Sequence, residues 1–145
     1  MPADAKAIRL PAVPFLRIDA DGHTELIGSR CTDCGVVVPD TRAICIACGA
    51  QDRIEPILLS KHGHLYSFTI VHRSFPGVKT PFVAAIVNLE GGGTLKGTLV
   101  DVEPLLEKLR YDMPVAIVFR DTGQKTTDGI PFLSYYFVPA ERPFP

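Results

Sequence analysis

Residues 31–49, CTDCGVVVPDTRAICIACG, contain two Cys-x-x-Cys pairs ten residues apart, and a glycine directly follows each pair. The four cysteines are Cys31, Cys34, Cys45 and Cys48. Two thiolates three residues apart on a tight turn bind one ion, and a second such turn completes a tetrahedral four-sulfur site. Gly35 and Gly49 suit the position after each turn, because glycine adopts positive φ at little steric cost and lets the backbone amides point at the sulfurs. The segment therefore predicts a metal-binding ribbon of two knuckles.

The donor set of the predicted site favours a structural metal. Thiolate sulfur selects soft or borderline metals, so we expect one zinc ion per chain, with a rubredoxin-like iron site as the alternative. Four cysteine ligands leave no position for water or substrate, so the metal is expected to hold structure and not to do chemistry. Two disulfides or a redox-active pair are the other interpretations of paired cysteines. Residues 1–20 contain no apolar stretch typical of a signal peptide, and free thiolates require a reducing compartment, so we expect a cytoplasmic protein.

Length and charge argue against two classes of function. The chain has 145 residues, enough for one domain or for a small ribbon followed by one compact domain. No apolar run approaches the roughly 20 residues that a membrane-spanning helix requires, so we expect no membrane association. The formal net charge is −1, whereas a nucleic-acid-binding domain normally carries a concentrated basic face, so nucleic acid is not an expected partner.

After the ribbon, the sequence is typical of a β protein. The predicted strands, which have alternating or β-branched apolar residues, cover 64–75, 82–90, 94–100, 114–120 and 131–138. Three glycines, 91–93, join the second and third of these strands and predict a hairpin. Residues 103–110 predict one or two helical turns, with Leu105, Leu106 and Leu109 on a shared face. Five strands and a short helix suit a small closed barrel of the OB type.

The expected fold class is mainly β and has three parts. Residues 1–27 form an N-terminal arm, of which residues 1–20 are broken by prolines, include a short helix and lie outside the core. Residues 28–53 form the rubredoxin-like zinc ribbon, and residues 54–145 form the five-stranded OB-fold barrel with its short helix. In the first barrel strand, even spacing places four side chains on one face, namely Tyr66, Phe68, Ile70 and His72.

These parts, in this order, resemble a known family. The matching stretches are CTDCG (31–35), CIACG (45–49), GHLYSFTIVHR (63–73), TPFVAAIVNLEGG (80–92) and YDMPVAIVF (111–119). They are similar to the zinc-ribbon/OB-fold accessory proteins associated with thiolases and related acyl-CoA enzymes, over residues 28–139. The chain departs from that pattern in three places. It has one proline and no aromatic residue before Arg42, it has no tryptophan, and Asp112 replaces the glycine before the methionine of the fourth barrel strand.

The resemblance implies an accessory role. It implies a chain without catalytic residues of its own, paired in a hetero-oligomer with a thiolase-fold catalytic subunit that cleaves or forms a C–C bond in degradative acyl-CoA metabolism. Acyl-CoA is then expected at the shared interface. A subunit of an acyl-CoA retro-aldolase or hydratase complex is the alternative within the family. Outside it, a free-standing OB-fold module that binds single-stranded nucleic acid and an independent redox or ester-processing enzyme are the alternatives.

A small set of residues is predicted to contact the acyl-CoA or the partner. The phosphates of CoA attract lysine and arginine, and several cations lie on or beside the predicted hairpin end of the barrel. Residues 75–82, FPGVKTPF, form a loop rich in proline and aromatic residues, and a stiff apolar loop loses little entropy when it docks. The candidates are Arg73, Phe75, Lys79, Phe82 and Lys96.

Overall fold

The computed structural model describes residues 9–140, which are almost entirely β. The strands in chain order are β1 (Leu10–Pro11), β2 (Leu16–Ile18), β3 (Thr24–Cys31), β4 (Val37–Pro39), β5 (Ile54–Leu58), β6 (His62–Val71), β7 (Phe82–Leu89), β8 (Thr94–Leu99), β9 (Pro114–Lys125) and β10 (Pro131–Pro139). The helix expected over 103–110 is a single 3-10 turn, Leu106–Lys108. The mainly β class expected from the sequence is confirmed.

The described chain divides into two compact units. The ribbon unit contains the described residues up to Leu59 together with Phe119–Tyr135. The barrel unit contains Ser60–Val118 together with the described residues from Tyr136 onward. Strands β9 and β10 therefore contribute residues to both units.

Five strands close the expected barrel in the order β6, β7, β8, β10, β9 and back to β6. Neighbouring strands run antiparallel along β6–β7–β8 and between β9 and β6, whereas β10 runs parallel to β8. Near the seam, the amide of Ala140 donates to the carbonyl of Pro114 at 3.0 Å. Because a parallel pair cannot be joined by a tight turn, the chain must pass through β9 before β10 reaches β8. This strand order agrees with the predicted OB-type barrel.

The alternation of β7 explains how the barrel fills. Val83, Ala85, Val87 and Leu89 are buried, while the residues between them are more exposed. This period of two is that of a strand with one face in a core. The three glycines after β7 all have positive φ and form the hairpin turn into β8, as the sequence predicts.

A β-bulge in β6 overturns one expectation. Leu65 pairs with Val87 and Ser67 pairs with Ile86, so Tyr66 is an extra residue between two consecutive pairs. The bulge shifts the alternation, and Tyr66 is 63% exposed. The prediction that Tyr66, Phe68, Ile70 and His72 share one face of the strand is therefore wrong. The strand also ends at Val71, so His72 lies outside it.

The ribbon unit is built around β3. One edge of β3 pairs with β2 and β4, and β5 pairs antiparallel with residues 27–31. Leu26 and Cys31 of β3 are buried, and so is Ser29, whose hydroxyl donates to the carbonyl of Asp40 at 2.6 Å. The first metal-ligand candidate, Cys31, is therefore the last residue of the central strand and is itself buried.

The expectation that residues 1–20 lie outside the core is wrong for residues that the structure describes. Leu16 is only 3% exposed, and it pairs with Leu26 across β2 and β3. The ring of Phe15 lies 5.7 Å from that of Tyr135, within the same unit. The described part of this segment contains two strands and no helix, because the hairpin that returns into β3 gives its apolar residues a sheet to join. Residues 1–8 of the predicted arm lie outside the described residues.

Candidate metal centre and contact surface

The four cysteines come together in the ribbon unit. All four sulfur atoms lie within 4.8 Å of one another. The Sγ atoms of Cys31 and Cys48 are 3.7 Å apart, and those of Cys34 and Cys45 are 3.5 Å apart. A tetrahedral ion with metal–sulfur distances of about 2.3 Å requires sulfur–sulfur distances of about 3.8 Å. The arrangement therefore fits one four-coordinate metal ion.

The two knuckles have the same backbone geometry. The Gly35 amide donates to the carbonyl of Cys31 at 2.8 Å, and the Gly49 amide donates to the carbonyl of Cys45 at 2.9 Å. The φ values of these glycines are 81° and 78°. A Cβ atom added at either glycine would have no neighbour within 4 Å. Glycine is therefore required here for its conformation and not for space.

Backbone amides prepare one sulfur for metal binding. The amides of Cys48 and Ala47 each donate to the Sγ of Cys45 at 3.4 Å. These two hydrogen bonds, with that of Cys48 the stronger effect, lower the pKa of the Cys45 thiol to about 6. A thiolate is the form that ligates metal, so this knuckle favours the ligating state at neutral pH.

The neighbouring thiols have the opposite effect on Cys48, because they raise the pKa of its thiol. The hydrogen bond from the Ala50 amide lowers the pKa of the Cys48 thiol. The interaction of this thiol with Cys45, its burial and the two remaining thiols together have the larger effect and raise its pKa to about 12. Four neighbouring sulfurs cannot all carry negative charge without a counter-charge. A cation bound by all four sulfurs stabilises each thiolate and removes this conflict.

The metal centre is buried on one side. Cys31 and Cys45 are buried, while Cys34 and Cys48 are exposed. The amide of Cys31 donates to Val36 and that of Cys45 to Ala50, both at 3.0 Å, so each knuckle is closed by a hydrogen bond across its own turn. The two buried cysteines place one side of the candidate metal centre in the core of the unit, and the two exposed cysteines leave its other side open to solvent.

A second group of possible ligands lies in the β2–β3 turn. Asp19, Asp21 and His23 are all exposed there. The Oδ1 atom of Asp19 accepts from the amides of Asp21 and His23, each at 2.9 Å. The hydrogen bond from the His23 amide is the main cause that lowers the pKa of Asp19. The carboxylate therefore stabilises the turn, as aspartate commonly does.

Among the predicted contact residues, three lie together in the loop between β6 and β7. Arg73, Phe75 and Lys79 are exposed, and Phe75 is 82% accessible to solvent. Phe82 is half-buried at the first position of β7, where it adjoins this loop. Lys96 lies elsewhere, opposite Ile86 in the β7–β8 pairing, where it lines a groove of about 350 Å³.

The sequence analysis missed part of the surface beside this loop. Pairing of Val71 with Phe82 and of Val83 with Leu99 places the loops 72–81 and 100–105 at the same end of the barrel unit. These loops and the 3-10 turn that follows contain four exposed apolar side chains, and we call these segments the apolar end, defined by Phe75, Val78, Leu105 and Leu106. The sequence does contain a signal for the apolar end, because Leu105 and Leu106 are adjacent and the helical stretch around them is too short to bury both.

Because helical turns were predicted over residues 103–110, the exposure of these leucines was not expected from the sequence. Leu105 and Leu109 both have extended backbone conformations, which limits the 3-10 turn to three residues. Only Leu109 is buried, while Leu105 is 41% and Leu106 is 72% exposed. The prediction that the three leucines share one face of a short helix is wrong, because a single 3-10 turn of three residues has no amphipathic face of that length.

The part of the chain that the structure describes has no helix that is both long and apolar enough to cross a membrane.

Comparisons with known proteins identify one matching domain family and several related chains. Residues 57–120 match the family described as "ChsH2, C-terminal OB-fold domain". A "DUF35 domain-containing scaffold protein" of Methanocaldococcus jannaschii is 37% identical over 81% of this chain and 83% of its own length. "Benzoylsuccinyl-CoA thiolase subunit BbsA" of Thauera aromatica is 28% identical over 85% of this chain and 83% of its own length.

A solved structure has a similar fold. The chain from the structure titled "Ltp2-ChsH2(DUF35) aldolase" superposes with a TM-score of 0.61 at 24% identity, over 79% of this chain and 84% of that chain. At this identity the likeness concerns the fold alone. The identity and mutual coverage with the scaffold protein of Methanocaldococcus jannaschii are high enough to show family membership. The chain therefore belongs to the family of DUF35 domain-containing scaffold proteins.

Proposed function

We propose that this chain is a non-catalytic accessory subunit of a thiolase-like enzyme that cleaves or forms C–C bonds in acyl-CoA substrates. The observation that carries the proposal is the similarity, over most of both chains, to a protein named as a subunit of benzoylsuccinyl-CoA thiolase. The chain itself supports a non-catalytic role, because all four of its cysteines belong to the candidate metal centre and leave no nucleophilic thiol. The partner then supplies the catalytic residues.

The metal in this proposal is zinc, with iron as the alternative. Four sulfur ligands at tetrahedral spacing fit either ion and leave no open coordination position. When bound, the ion supplies the positive charge that keeps the four thiolates together. The ribbon has too few apolar residues to fold alone, so its two knuckles depend on the metal. The division into arm (1–27), ribbon (28–53) and OB-fold domain (54–145) stays a prediction about which segments act together.

The loop at the apolar end supports a role in contact. Phe75 exposes most of its ring, and Arg73 and Lys79 flank it in a segment that contains no acidic residue. We place the catalytic subunit or the phosphates of the acyl-CoA against these three residues, with Phe82 at the base of the loop. Lys96 is a separate candidate, because it lies in the groove on the sheet and not in the loop.

A second candidate is a subunit of an acyl-CoA retro-aldolase or hydratase complex. Two comparisons favour it, namely the fold likeness to a chain of an aldolase structure and 26% identity to a "Probable enoyl-CoA hydratase alpha subunit" of Thermomonospora curvata. This chain corresponds to 34% of that hydratase subunit, so only a part of it is comparable. The two candidates differ in the class of partner enzyme and not in the role of this chain.

The test is to purify the tagged chain from its native host and to identify the co-purifying protein by mass spectrometry and the metal by elemental analysis. A stoichiometric thiolase-fold partner and about one zinc ion per chain, as a four-sulfur site requires, would support the proposal. An aldolase- or hydratase-fold partner would favour the second candidate. A monomer that retains its metal but has no partner would overturn both.

A further inference from the structure

The four cysteines of the candidate metal centre differ in their exposure to solvent. Cys31 and Cys45 are only 1% and 4% exposed, whereas Cys34 and Cys48 are exposed. Each knuckle therefore contributes one cysteine that small solutes reach and one that the ribbon unit covers. Accessible thiolates are the ones that peroxides oxidise, whereas buried structural cysteines are inert. Oxidation of this centre is therefore expected to begin at the two exposed cysteines.

Each exposed cysteine lies beside a buried cysteine of the other knuckle. The Sγ atoms of Cys34 and Cys45 are 3.5 Å apart, and those of Cys48 and Cys31 are 3.7 Å apart. A disulfide bond is about 2.05 Å long, so the sulfurs of each pair need to approach by only about 1.5 Å to form one. The two pairs share no sulfur, so both bonds can form in one chain. An accessible thiol next to a second thiol is the usual arrangement of a redox-sensing site.

The reaction of each pair with one molecule of hydrogen peroxide is balanced. The exposed thiolate attacks a peroxide oxygen, which forms the S–O bond of a sulfenic acid, breaks the O–O bond and releases hydroxide. The buried thiolate of the pair then attacks the sulfenic sulfur, which forms the S–S bond and releases a second hydroxide. The two sulfurs together lose two electrons, and the peroxide gains them.

A ribbon oxidised in this way no longer fits a metal ion. Ligation by four sulfurs requires four thiolates about 3.8 Å apart. A disulfide brings two sulfurs to about 2.05 Å and leaves neither of them as a thiolate. Because each new bond joins one knuckle to the other, the bonds replace the cross-link that the ion supplies. The chain has no further cysteine that could compete in this reaction.

We infer that the ribbon is a peroxide-sensitive switch that exchanges its zinc ion for two disulfide bonds, Cys34–Cys45 and Cys31–Cys48. The buried partner captures each sulfenic acid before it is oxidised further, so the reaction stops at the disulfide, which a dithiol reduces. The inference rests on the zinc of the proposed function and does not depend on which catalytic subunit the chain serves.

The first experiment measures zinc release from the zinc-loaded full chain. A few equivalents of hydrogen peroxide are added in the presence of a chromophoric zinc chelator, and the same sample without peroxide is the control. Peroxide is expected to release about one zinc ion per chain, the content of a four-sulfur site. Reduction with dithiothreitol, its removal and addition of zinc are expected to restore the loaded form.

The sequence allows the disulfide bonds to be located in the oxidised chain. Trypsin cleaves after Arg30, Arg42 and Arg53, which places the first knuckle in peptide 31–42 and the second in peptide 43–53. The two peptides are expected to be joined after oxidation, and tandem mass spectrometry is expected to pair the exposed cysteine of each peptide with the buried cysteine of the other. Reduction should separate them.

A double variant, Cys34→His with Cys48→His, tests the role of the exposed cysteines. Two cysteines and two histidines are a common zinc ligand set, so the variant is expected to bind zinc. It should release zinc in peroxide at least about tenfold more slowly than the wild-type chain, because only buried cysteines remain. The matched control, Cys31→His with Cys45→His, keeps the exposed cysteines and should form sulfenic acid at the wild-type rate, as labelling with dimedone measures.

The possible results separate the switch from the proposed metal. A zinc-loaded chain that keeps its zinc in peroxide, or loses it only as sulfinic and sulfonic acids form, would overturn the switch while the proposed metal stands. Bonds confined to each tryptic peptide would overturn it too, and so would equal rates of zinc release from the wild-type chain and Cys34→His with Cys48→His. If that variant does not bind zinc, the peptide map of the wild-type chain still decides. A purified chain that binds no zinc would overturn the proposed metal itself.

Discussion

Replacing Gly49 with alanine tests whether the metal centre depends on backbone conformation. The φ value of Gly49 is 78°, and an added Cβ atom would meet no other atom within 4 Å. The substitution therefore introduces no steric clash with neighbouring residues, and its cost is that of holding an L-residue in the left-handed region. That cost is about 1–2 kcal/mol for a non-glycine residue.

The strain should appear in metal affinity. Because formation of the knuckle and binding of the metal are coupled, a penalty on the folded knuckle weakens the bound state. A cost of about 1–2 kcal/mol corresponds to a roughly 5- to 30-fold lower affinity. Asparagine tolerates left-handed backbone better than alanine does, so Gly49→Asn should recover part of the loss.

The assay is a competition titration of zinc between the protein and a chromophoric chelator. Gly49→Ala, Gly49→Asn and the wild-type chain are compared under identical conditions, and Gly35→Ala provides the equivalent change in the other knuckle. The reasoning is refuted if Gly49→Ala binds zinc as tightly as the wild-type chain. It is also refuted if asparagine is no better than alanine, since the cost would then not come from the backbone region.

Three further predictions follow from packing, ligation and exposure. Gly63→Ala should lower the free energy of unfolding by about 1–3 kcal/mol in thermal or urea denaturation, because an added Cβ atom would lie 2.4 Å from the backbone oxygen of Asn88, which cannot move away cheaply; an unchanged stability would contradict this. Cys31→Ser should abolish stoichiometric zinc and disrupt the complex with the catalytic subunit, as elemental analysis and size-exclusion chromatography would show; normal assembly without metal would argue against a structural role. Phe75→Ala combined with Phe82→Ala should weaken binding of the catalytic subunit, and the contact assigned to this loop is wrong if affinity and activity of the complex stay unchanged.

The candidate metal centre could be predicted from the sequence because each of its turns is specified by residues that are close together in the chain. Two cysteines three residues apart and a following glycine specify each turn almost completely, since the glycine conformation and the sulfur positions arise within five consecutive residues. The hairpin of β7 and β8 was accessible for the same reason, as three glycines separate two apolar runs. Zinc itself stays a proposal, because four thiolates at these distances accommodate more than one metal.

Long-range pairing decided the remaining features. The burial of Leu16 follows from its register opposite Leu26, which no property of residues 1–20 alone reveals. The bulge at Tyr66 is visible only when β6 is aligned with β7, and one inserted residue changes which side chains face outward along the strand. The exposure of Leu106 likewise depends on how the chain enters and leaves a single turn.

The sequence by itself determined the ribbon, the β class and the order of the parts, because these depend on spacing and periodicity within short segments. Only the tertiary structure decided that the loops after β6 and β8 meet at one end of the barrel. Their residues are separated by some twenty positions of chain and share no pattern that links them. The physical reason is that antiparallel pairing of β6, β7 and β8 returns the chain to the same end of the barrel unit, which places these two loops beside each other in the fold although they are distant in the sequence.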